Sequence, residues 1–262
     1  MDNILRVVKM KLFLSLLIIL PLLLFSCAQV GVVPSPSPEG EVQTPLPEET
    51  PTGTSSLTPG ESQLLTPALG EEISLPPPSF KGEFTLEEVL KSRRSVRSFK
   101  EQELSLEQVG QLLWAAQGIT SPEGKRTAPS AGALYPLEVY YFFREGWGHY
   151  NPEKHALEIL GKEDRRQDLA RACLNQSWIQ EAPAVFVIVG FVERTAKKYG
   201  ERAERYVILE AGHACQNLLL QAVALGLGGT SVGAFSDEEI KKILGVKALP
   251  LYVVPVGYPK NP

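Results

Sequence analysis

The fold is decided by residues 198–235, KYGERAERYVILEAGHACQNLLLQAVALGLGGTSVGAF. Between residues 211 and 225, apolar residues recur on every face of a helix, interrupted only by Gly212, His213, Gln216, Asn217 and Gln221. A helix that is apolar all round is buried, either in the core of a domain or in a tight subunit interface. We therefore predict one long buried helix. It should end at Gly226, because glycine readily adopts the left-handed conformation that stops a helix.

A turn of small residues follows this helix, with the sequence GGTSVGA at residues 228–234. Backbone that carries few side chains can lie against a flat ligand and offer it N–H groups. It can also be no more than a tight loop that avoids clashes. The residues of the turn do not distinguish these two interpretations.

The first 80 residues are predicted to export and tether the protein. In residues 1–27, Lys9 and Lys11 precede a short apolar run typical of a signal peptide, and the run ends at a bacterial lipobox with Cys27 as the lipidation site. Residues 28–80 hold eleven of the 21 prolines, which indicates a disordered, partly extended tether. We expect a protein of the cell envelope, anchored to the membrane by lipid, with its domain outside the cytoplasm. The alternative is an uncleaved signal anchor.

The remaining residues, 81–262, are sufficient for one domain with a real core. From residue 84 onward, 22 Lys and Arg stand against 21 Asp and Glu, a balance that argues against a nucleic-acid partner. The cysteines of this region are Cys173 and Cys215, for which buried thiols and a disulfide both stay open. The spacing of Cys and His predicts no metal site.

Helices and strands are mixed without a βαβ repeat, so the predicted class is α+β, with helices packed around one sheet. Capping sequences predict helices after Thr85, Ser105 and Ser236, the last ending at Gly245. The apolar run of residues 184–191 indicates a strand covered on both faces. Further predicted elements are strands at residues 137–143 and 251–256, a hairpin of residues 147–150 with 156–160, and a helix over residues 163–174.

Three segments contain groups that could act on one ligand. Residues 92–99 carry three arginines and serine hydroxyls, which suit phosphate oxygens but could equally form a solvated basic turn. Residues 128–136, APSAGALYP, form a loop of small residues before a strand, and residues 228–234 form the small-residue turn. Together they suggest a phosphate clamp and two walls for a flat phosphorylated cofactor.

The three segments together resemble the nitroreductase-like flavoprotein family, and the resemblance covers residues 85–258. Within that family, the SagB-type dehydrogenases, which include thiazoline and oxazoline oxidases, are the most similar branch. The resemblance to this branch rests on SAGALYP at residues 130–136 and on the run from Lys198-Tyr199-Gly200 to Glu210-Ala211-Gly212-His213. It implies a nitroreductase-like fold, with a mixed, mainly antiparallel sheet flanked by helices around a long buried helix.

The resemblance also implies that the protein binds FMN without a covalent link. The phosphate would meet the arginine segment and the basic C-terminus, and the ring would lie near the two small-residue loops. The residues so assigned are Arg93, Arg94, Ser95, Arg97, Pro129, Ser130, Ala131, Gly132, Ser231, Val232, Gly233, Ala234 and Lys260.

The implied reaction is hydride transfer through the flavin, with NAD(P)H as a possible electron donor and a small-molecule acceptor. Lys198 and Tyr199 match the Lys-Tyr pair that azoline oxidases use for proton removal. The family is usually a homodimer in which the loop of residues 129–132 comes from the partner subunit. The rival interpretation is a lipoprotein that keeps the fold and holds flavin or another ligand without turnover.

Overall fold

The structure, a computed structural model, describes residues 68–260; the predicted signal peptide with Cys27 lies outside them. One seven-stranded sheet runs through this part of the chain in the order β1-β4-β3-β2-β5-β7-β6, and its strand pairs are antiparallel. The strands are β1 (Glu72–Ser74), β2 (Leu137–Phe143), β3 (Gly146–Asn151), β4 (Ala156–Gly161), β5 (Ala184–Gly190), β6 (Gly228–Gly229) and β7 (Leu249–Gly257).

Helices cover both faces of the sheet, which confirms the predicted α+β class. They are α1 (Leu86–Ser92), α2 (Leu106–Gln117), α3 (Arg166–Ala172), α4 (Trp178–Glu181), α5 (Val192–Tyr199), α6 (Ala203–Ala224) and α7 (Asp237–Leu244). Over residues 68–260, no helix has the length and apolar character needed to cross a membrane.

The strand β5 lies between two cores, as its uninterrupted apolar sequence predicts. Phe186 and the residues on its face of the strand pack with α2 and α6, whereas Val187 and the residues on its face pack with α3, α4 and α7. Every residue of β5 is buried. The sheet is therefore the middle layer of a three-layer domain, and α6 belongs to one of the outer layers.

The predicted helix ends agree with the structure where a capping residue marks them. Thr85 and Ser105 each form a complete capping box, and Gly245 ends α7 with a φ of +70°. The helix predicted over residues 163–174 is shorter, because Leu174 and Asn175 both have a positive φ and leave the helical conformation.

The long predicted helix is α6, and Gly226, with a φ of +71°, follows its end as predicted. The helix lies close to β5 because Gly190 has no side chain. A Cβ at Gly190 would come 2.3 Å from Cγ1 of Val207, closer than packed carbon atoms can approach. This contact sets the distance between the helix and the middle of the sheet.

The sequence left open whether α6 is buried in the domain core or in a subunit interface, and within the single chain it is buried on one side only. Ile208 and Leu209 are 48% and 53% exposed, and His213 on the same face is exposed as well. The apolar sequence of the helix therefore serves two surfaces: one packs against the sheet, and the other is left open by the rest of the subunit.

The ordered domain begins before the predicted boundary at residue 81. The strand β1 pairs with β4, and Leu75 is buried in the core between α2 and the sheet. Nε2 of His155 lies 2.9 Å from the carbonyl oxygen of Pro76, and Gln111 exchanges two hydrogen bonds with the backbone of Ser79. The proline-rich composition of this segment concealed a short edge strand and the buried side chain that follows it.

Cys173 and Cys215 are both free thiols, so the disulfide left open above is not formed. They belong to different cores, on opposite faces of the sheet. Burial raises the pKa of each thiol to about 12, which keeps both in the uncharged form at neutral pH.

We expect Gly190→Ala to lower the free energy of unfolding by roughly 1–3 kcal/mol, because the added methyl group overpacks the contact with Val207. Urea denaturation of the purified protein would measure this. Adding Val207→Ala should make the effect of Gly190→Ala smaller, and Gly82→Ala, whose new methyl group has room, is the control. Equal losses for Gly190→Ala and Gly82→Ala would contradict the proposed packing constraint.

Candidate functional site

The arginine segment, residues 93–99, lies alongside the turn of residues 228–234. Ser95 forms a parallel bridge with Gly229, and the amide of Val96 donates a hydrogen bond to the Gly229 carbonyl at 3.1 Å. A Cβ at Gly228 would come 2.5 Å from Cγ2 of Val96, so this close pairing requires glycine. Two of the three predicted segments therefore meet, and part of the turn's glycine content has a packing explanation.

The arginines of the segment have different environments. Nη1 of Arg94 donates to the carbonyl oxygens of Lys91 and Arg93, at 2.9 and 2.8 Å, so this side chain closes the C-terminus of α1. Arg97 is exposed, with its guanidinium carbon 5.7 Å from the centre of the Trp178 ring. Arg93 is half-buried. Arg93 and Arg97 are thus better placed for a ligand than Arg94.

The end of the chain joins the same segment. The amide of Lys260 donates to the carbonyl of Ser98 at 3.1 Å, and Phe99 pairs with Pro259. The Lys260 side chain also lines a polar cleft that contains the carboxylates of Glu101 and Glu181. Lys260 therefore lies beside the arginine segment, in a cleft that also contains acidic side chains.

In the turn of residues 228–234, some backbone amides are hydrogen-bonded to the sheet and others point away from it. The amides of Thr230 and Val232 donate to carbonyls of β7, and the Val232 side chain is buried. Both backbone groups of Val232 are hydrogen-bonded within the chain, and its predicted place at the flavin stays a prediction. Because extended backbone alternates, the amides of Ser231 and Gly233 point away from β7. Ser231, Gly233 and Ala234 are exposed. Among residues 68–260, apart from its chain neighbours, none has an atom within 4 Å of a Cβ placed at Gly233.

The loop of residues 129–136 has an unusual backbone. Gly132, Ala133 and Tyr135 all have a positive φ, between +46° and +66°, and two of them are not glycine. The amide of Tyr135 donates to the Ser130 hydroxyl oxygen at 3.0 Å, which closes the loop on itself. Such conformations persist only where the surroundings hold them, and they concentrate at functional sites.

The predicted catalytic pair packs against this loop. A methyl group added at Gly132 would come 2.9 Å from the Tyr199 hydroxyl and 3.0 Å from Nζ of Lys198. The rings of Tyr199 and Tyr206 meet edge to face at 5.0 Å, which fixes Tyr199 against the first turns of α6. Lys198 is exposed and Tyr199 half-buried, so a substrate could reach both.

The site residues thus form two clusters at opposite ends of α6. Lys198, Tyr199 and the 129–132 loop lie near its N-terminus, and the arginine segment and the turn of residues 228–234 lie near its C-terminus. A helix of 22 residues is about 33 Å long. The clusters within one chain are therefore too far apart to contact the same small ligand.

A network of charged groups beside the loop was not predicted from the sequence. Glu138 lies 2.7 Å from Nε2 of His149 and 2.5 Å from Nη1 of Arg194, which also donates to the Tyr135 carbonyl. Burial raises the pKa of Glu138, but the bonds and charges of His149 and Arg194 outweigh burial and lower it. The network keeps Glu138 ionised and ties the strand β2 to the start of α5.

A buried acid was also missed. Glu210 is 2% exposed, on the stripe of α6 that packs inward, beside Ser130 and Arg126. Burial raises the pKa of this carboxyl to about 7, while the Ser130 hydroxyl and the Arg126 charge oppose the shift. The sequence held a signal for it, since Glu210 is the only charged residue between Tyr206 and Phe235.

The cluster at the C-terminus of α6 has the chemistry that a phosphorylated flavin requires. Arg93 and Arg97 can bind an anion through charge-assisted hydrogen bonds, and Ser95 adds a hydroxyl donor. The open space at Gly233 leaves room for a flat ring, toward which the amides of Ser231 and Gly233 are free to donate. These residues fit FMN.

The chain is similar to known proteins over most of its described length. The model of the nitroreductase family matches residues 90–258. A Methanocaldococcus jannaschii protein named "Putative nitroreductase MJ1384" is 44% identical over 195 residues, which cover 72% of this chain and 98% of that protein. The microcin B17-processing protein McbC of Escherichia coli is 28% identical over 156 residues, 55% of this chain and 57% of McbC.

Among solved structures, a nitroreductase-like protein from Ralstonia eutropha JMP134 superposes with a TM-score of 0.67 at 28% identity, over 77% of this chain and 97% of that one. The chain belongs to the nitroreductase family.

Proposed function

We propose that this nitroreductase-family oxidoreductase binds FMN and carries out hydride transfer, as a lipid-anchored protein of the cell envelope. The observation that carries the proposal is the backbone pairing of Ser95 and Val96 with Gly229. This pairing places the arginines next to free amides of the neighbouring turn, so one site offers both an anion clamp and an uncovered surface for a flat ring.

In this proposal, Arg93, Ser95 and Arg97 hold the FMN phosphate. The amides of Ser231 and Gly233 orient the ring, and donors at its polar edge favour charge there. FMN, when bound, supplies the hydride-carrying centre, and NAD(P)H is the proposed electron donor. The protein supplies binding, orientation and electrostatics.

The separation of the two clusters argues for a homodimer with shared sites. Within one chain the arginine segment and the catalytic pair lie near opposite ends of α6, which is about 33 Å long. We therefore propose that each site takes the pair and the 129–132 loop from a second copy. The open face of α6, with Ile208 and Leu209, is the surface we assign to that contact. Next to it, α1, α2 and α6 line a groove of about 270 Å³ whose walls include Phe84 and Leu86.

Lys198 and Tyr199 are proposed to hold and move the substrate proton. Tyr199 is fixed by Tyr206 and Gly132, whereas Lys198 is exposed beside it and can exchange protons with solvent. The similarity to McbC, together with this pair, supports the SagB-type branch. The substrates proposed are a quinone, a nitroaromatic or another small electron acceptor, or an azoline.

The location is proposed from the sequence of the first 80 residues. Lipidation of Cys27 would anchor the protein, and the proline-rich tether would hold the domain away from the membrane. Mass spectrometry of the protein from a membrane fraction would test this. A mature N-terminus at a lipid-modified Cys27 would support it, and an unmodified, uncleaved N-terminus would contradict it.

Arg97→Ala and Arg93→Ala should each weaken FMN binding roughly tenfold or more, since each removes charge-assisted hydrogen bonds to phosphate. Titration of the purified protein with FMN, followed by flavin fluorescence, measures the dissociation constant. Arg94→Ala is the matched control, because Arg94 donates to carbonyls of α1. If all three variants bound FMN like the parent protein, the phosphate site would be placed elsewhere.

Lys198→Ala should leave FMN bound but slow turnover roughly tenfold to a hundredfold, because a positioned proton donor or acceptor is lost. Steady-state rates with NADPH and a quinone, beside the FMN dissociation constant, separate the two effects. Lys197→Ala, one residue away on the exposed side of α5, is the control. Unchanged rates for Lys198→Ala would remove it from catalysis. A parent protein that binds FMN but is reduced by no donor would favour the non-catalytic lipoprotein.

The variant Ile208→Glu, Leu209→Glu should convert a dimer to a monomer and also weaken FMN binding, since burying two carboxylates in an apolar contact is unfavourable. Light scattering after size-exclusion chromatography gives the mass in solution. Leu174→Glu replaces another exposed leucine, on the turn after α3, and should stay dimeric. A double glutamate variant that remains dimeric would place the subunit contact on another face.

A further inference from the structure

Glu210 is a buried carboxyl whose hydrogen bonding is incomplete. It stands on the inward stripe of α6, one turn from Val207 and from Ala214, where an apolar side chain would pack without cost. Among the residues that the structure describes, its Oε1 atom has no hydrogen-bond partner. Elsewhere, the half-exposed Asp164 accepts two hydrogen bonds from the Arg166 side chain, at 2.9 and 2.7 Å, as expected of a purely structural acid.

The neighbours of the Glu210 carboxyl are Ser130, in the 129–136 loop, and Arg126. The Ser130 hydroxyl oxygen accepts from the Tyr135 amide at 3.0 Å, so its proton is free to be donated to Glu210. Arg126, the charged group beside Glu210, is held by Gln117, to whose side-chain oxygen it donates at 2.9 Å. The Arg126 guanidinium also lies 4.7 Å above the Tyr135 ring. Glu210 thus meets the loop at a point that is itself immobilised.

The loop at that point carries the backbone strain described above. Gly132, Ala133 and Tyr135 hold left-handed conformations, and Gly132 is the residue against which Lys198 and Tyr199 pack. A shift of Ser130 would pass directly to Gly132, two residues along the chain.

We propose that Glu210 is a positioning residue: from the buried side it holds Ser130, and through the strained loop it sets where Gly132 meets Lys198 and Tyr199. That this geometry serves a flavin site rests on the proposed function. The proposed contact between Glu210 and Ser130 lies within one chain, so it can be tested without flavin.

Ionisation of Glu210 should have two opposite effects. The carboxylate accepts a stronger hydrogen bond from Ser130 than the neutral acid does, whereas its buried charge lowers the stability of the whole fold. Its pKa of about 7 lies above the ordinary glutamate value, because burial disfavours the charge. The facing groups are Arg126 and Ser130; Glu138 lies across Arg126, and Arg194, Lys198 and Tyr199 surround the same loop from α5. A raised folded-state pKa means that the carboxyl favours the folded state fully below about pH 4.5. That contribution is lost as pH rises to about 7.

Hydrogen exchange of the purified protein, without added flavin, is the first test. Glu210→Gln and Ser130→Ala should each raise amide exchange in residues 129–135 roughly tenfold at pH 8. The double variant should be no faster than either single one, because both remove the same contact. Glu103→Gln, which changes another partly buried carboxyl paired with Arg144, should leave the loop unchanged. Loop exchange equal to that of the parent protein, or additive effects, would overturn the inference.

Kinetic and stability measurements separate a positioning role from a purely structural one. With FMN, Glu210→Gln should lower kcat roughly tenfold with KM within threefold, and a rate change centred near pH 7 should disappear. The melting temperature of the parent protein should fall between pH 4.5 and 7, and that of the Glu210→Gln variant should not. Ser130→Ala gives the same answer on the loop if Glu210→Gln fails to fold. A parent protein that binds no FMN would defeat the proposed function alone, since the exchange result would still decide the role of Glu210.

Discussion

The close contact between α6 and β5 at Gly190 is the constraint on which the rest of the structure depends. It sets the helix directly against the middle of the sheet, with Val207 in the space that a side chain would take. The chain enters this helix from Lys198 and Tyr199 and leaves it into the glycine turn. Because both functional clusters are attached to one rigid helix, their separation is fixed by its length.

Because the clusters are separated, a single subunit has only an incomplete form of the proposed site, and it also has an uncovered apolar face. The face of α6 that carries Ile208 and Leu209 is apolar and uncovered, and each cluster holds only half of the proposed flavin site. A second copy would cover the apolar face and bring one chain's loop to the other chain's arginines. One interface would thus bury the apolar face of α6 and complete the proposed flavin site at the same time.

Much of the fold could be predicted because its signals are local. Capping boxes at Thr85 and Ser105 mark helix starts, and an unbroken apolar run marks β5. Composition was misleading for residues 72–79, where prolines suggested a tether but one leucine and a short strand join the core. For α6, composition predicted an apolar helix but did not distinguish packing against its own sheet from packing against a second chain.

The sequence by itself determined the class of the domain, the arginine and glycine segments, and the Lys198–Tyr199 pair, because each is a run of neighbouring residues with its own chemistry. Only the tertiary structure decided that Arg94 closes α1, that β7 occupies the Val232 amide, and that Glu210 lies behind Ser130. These roles depend on partners far away in the chain. No local pattern records such partners, since hydrogen bonds and burial arise only when distant segments pack.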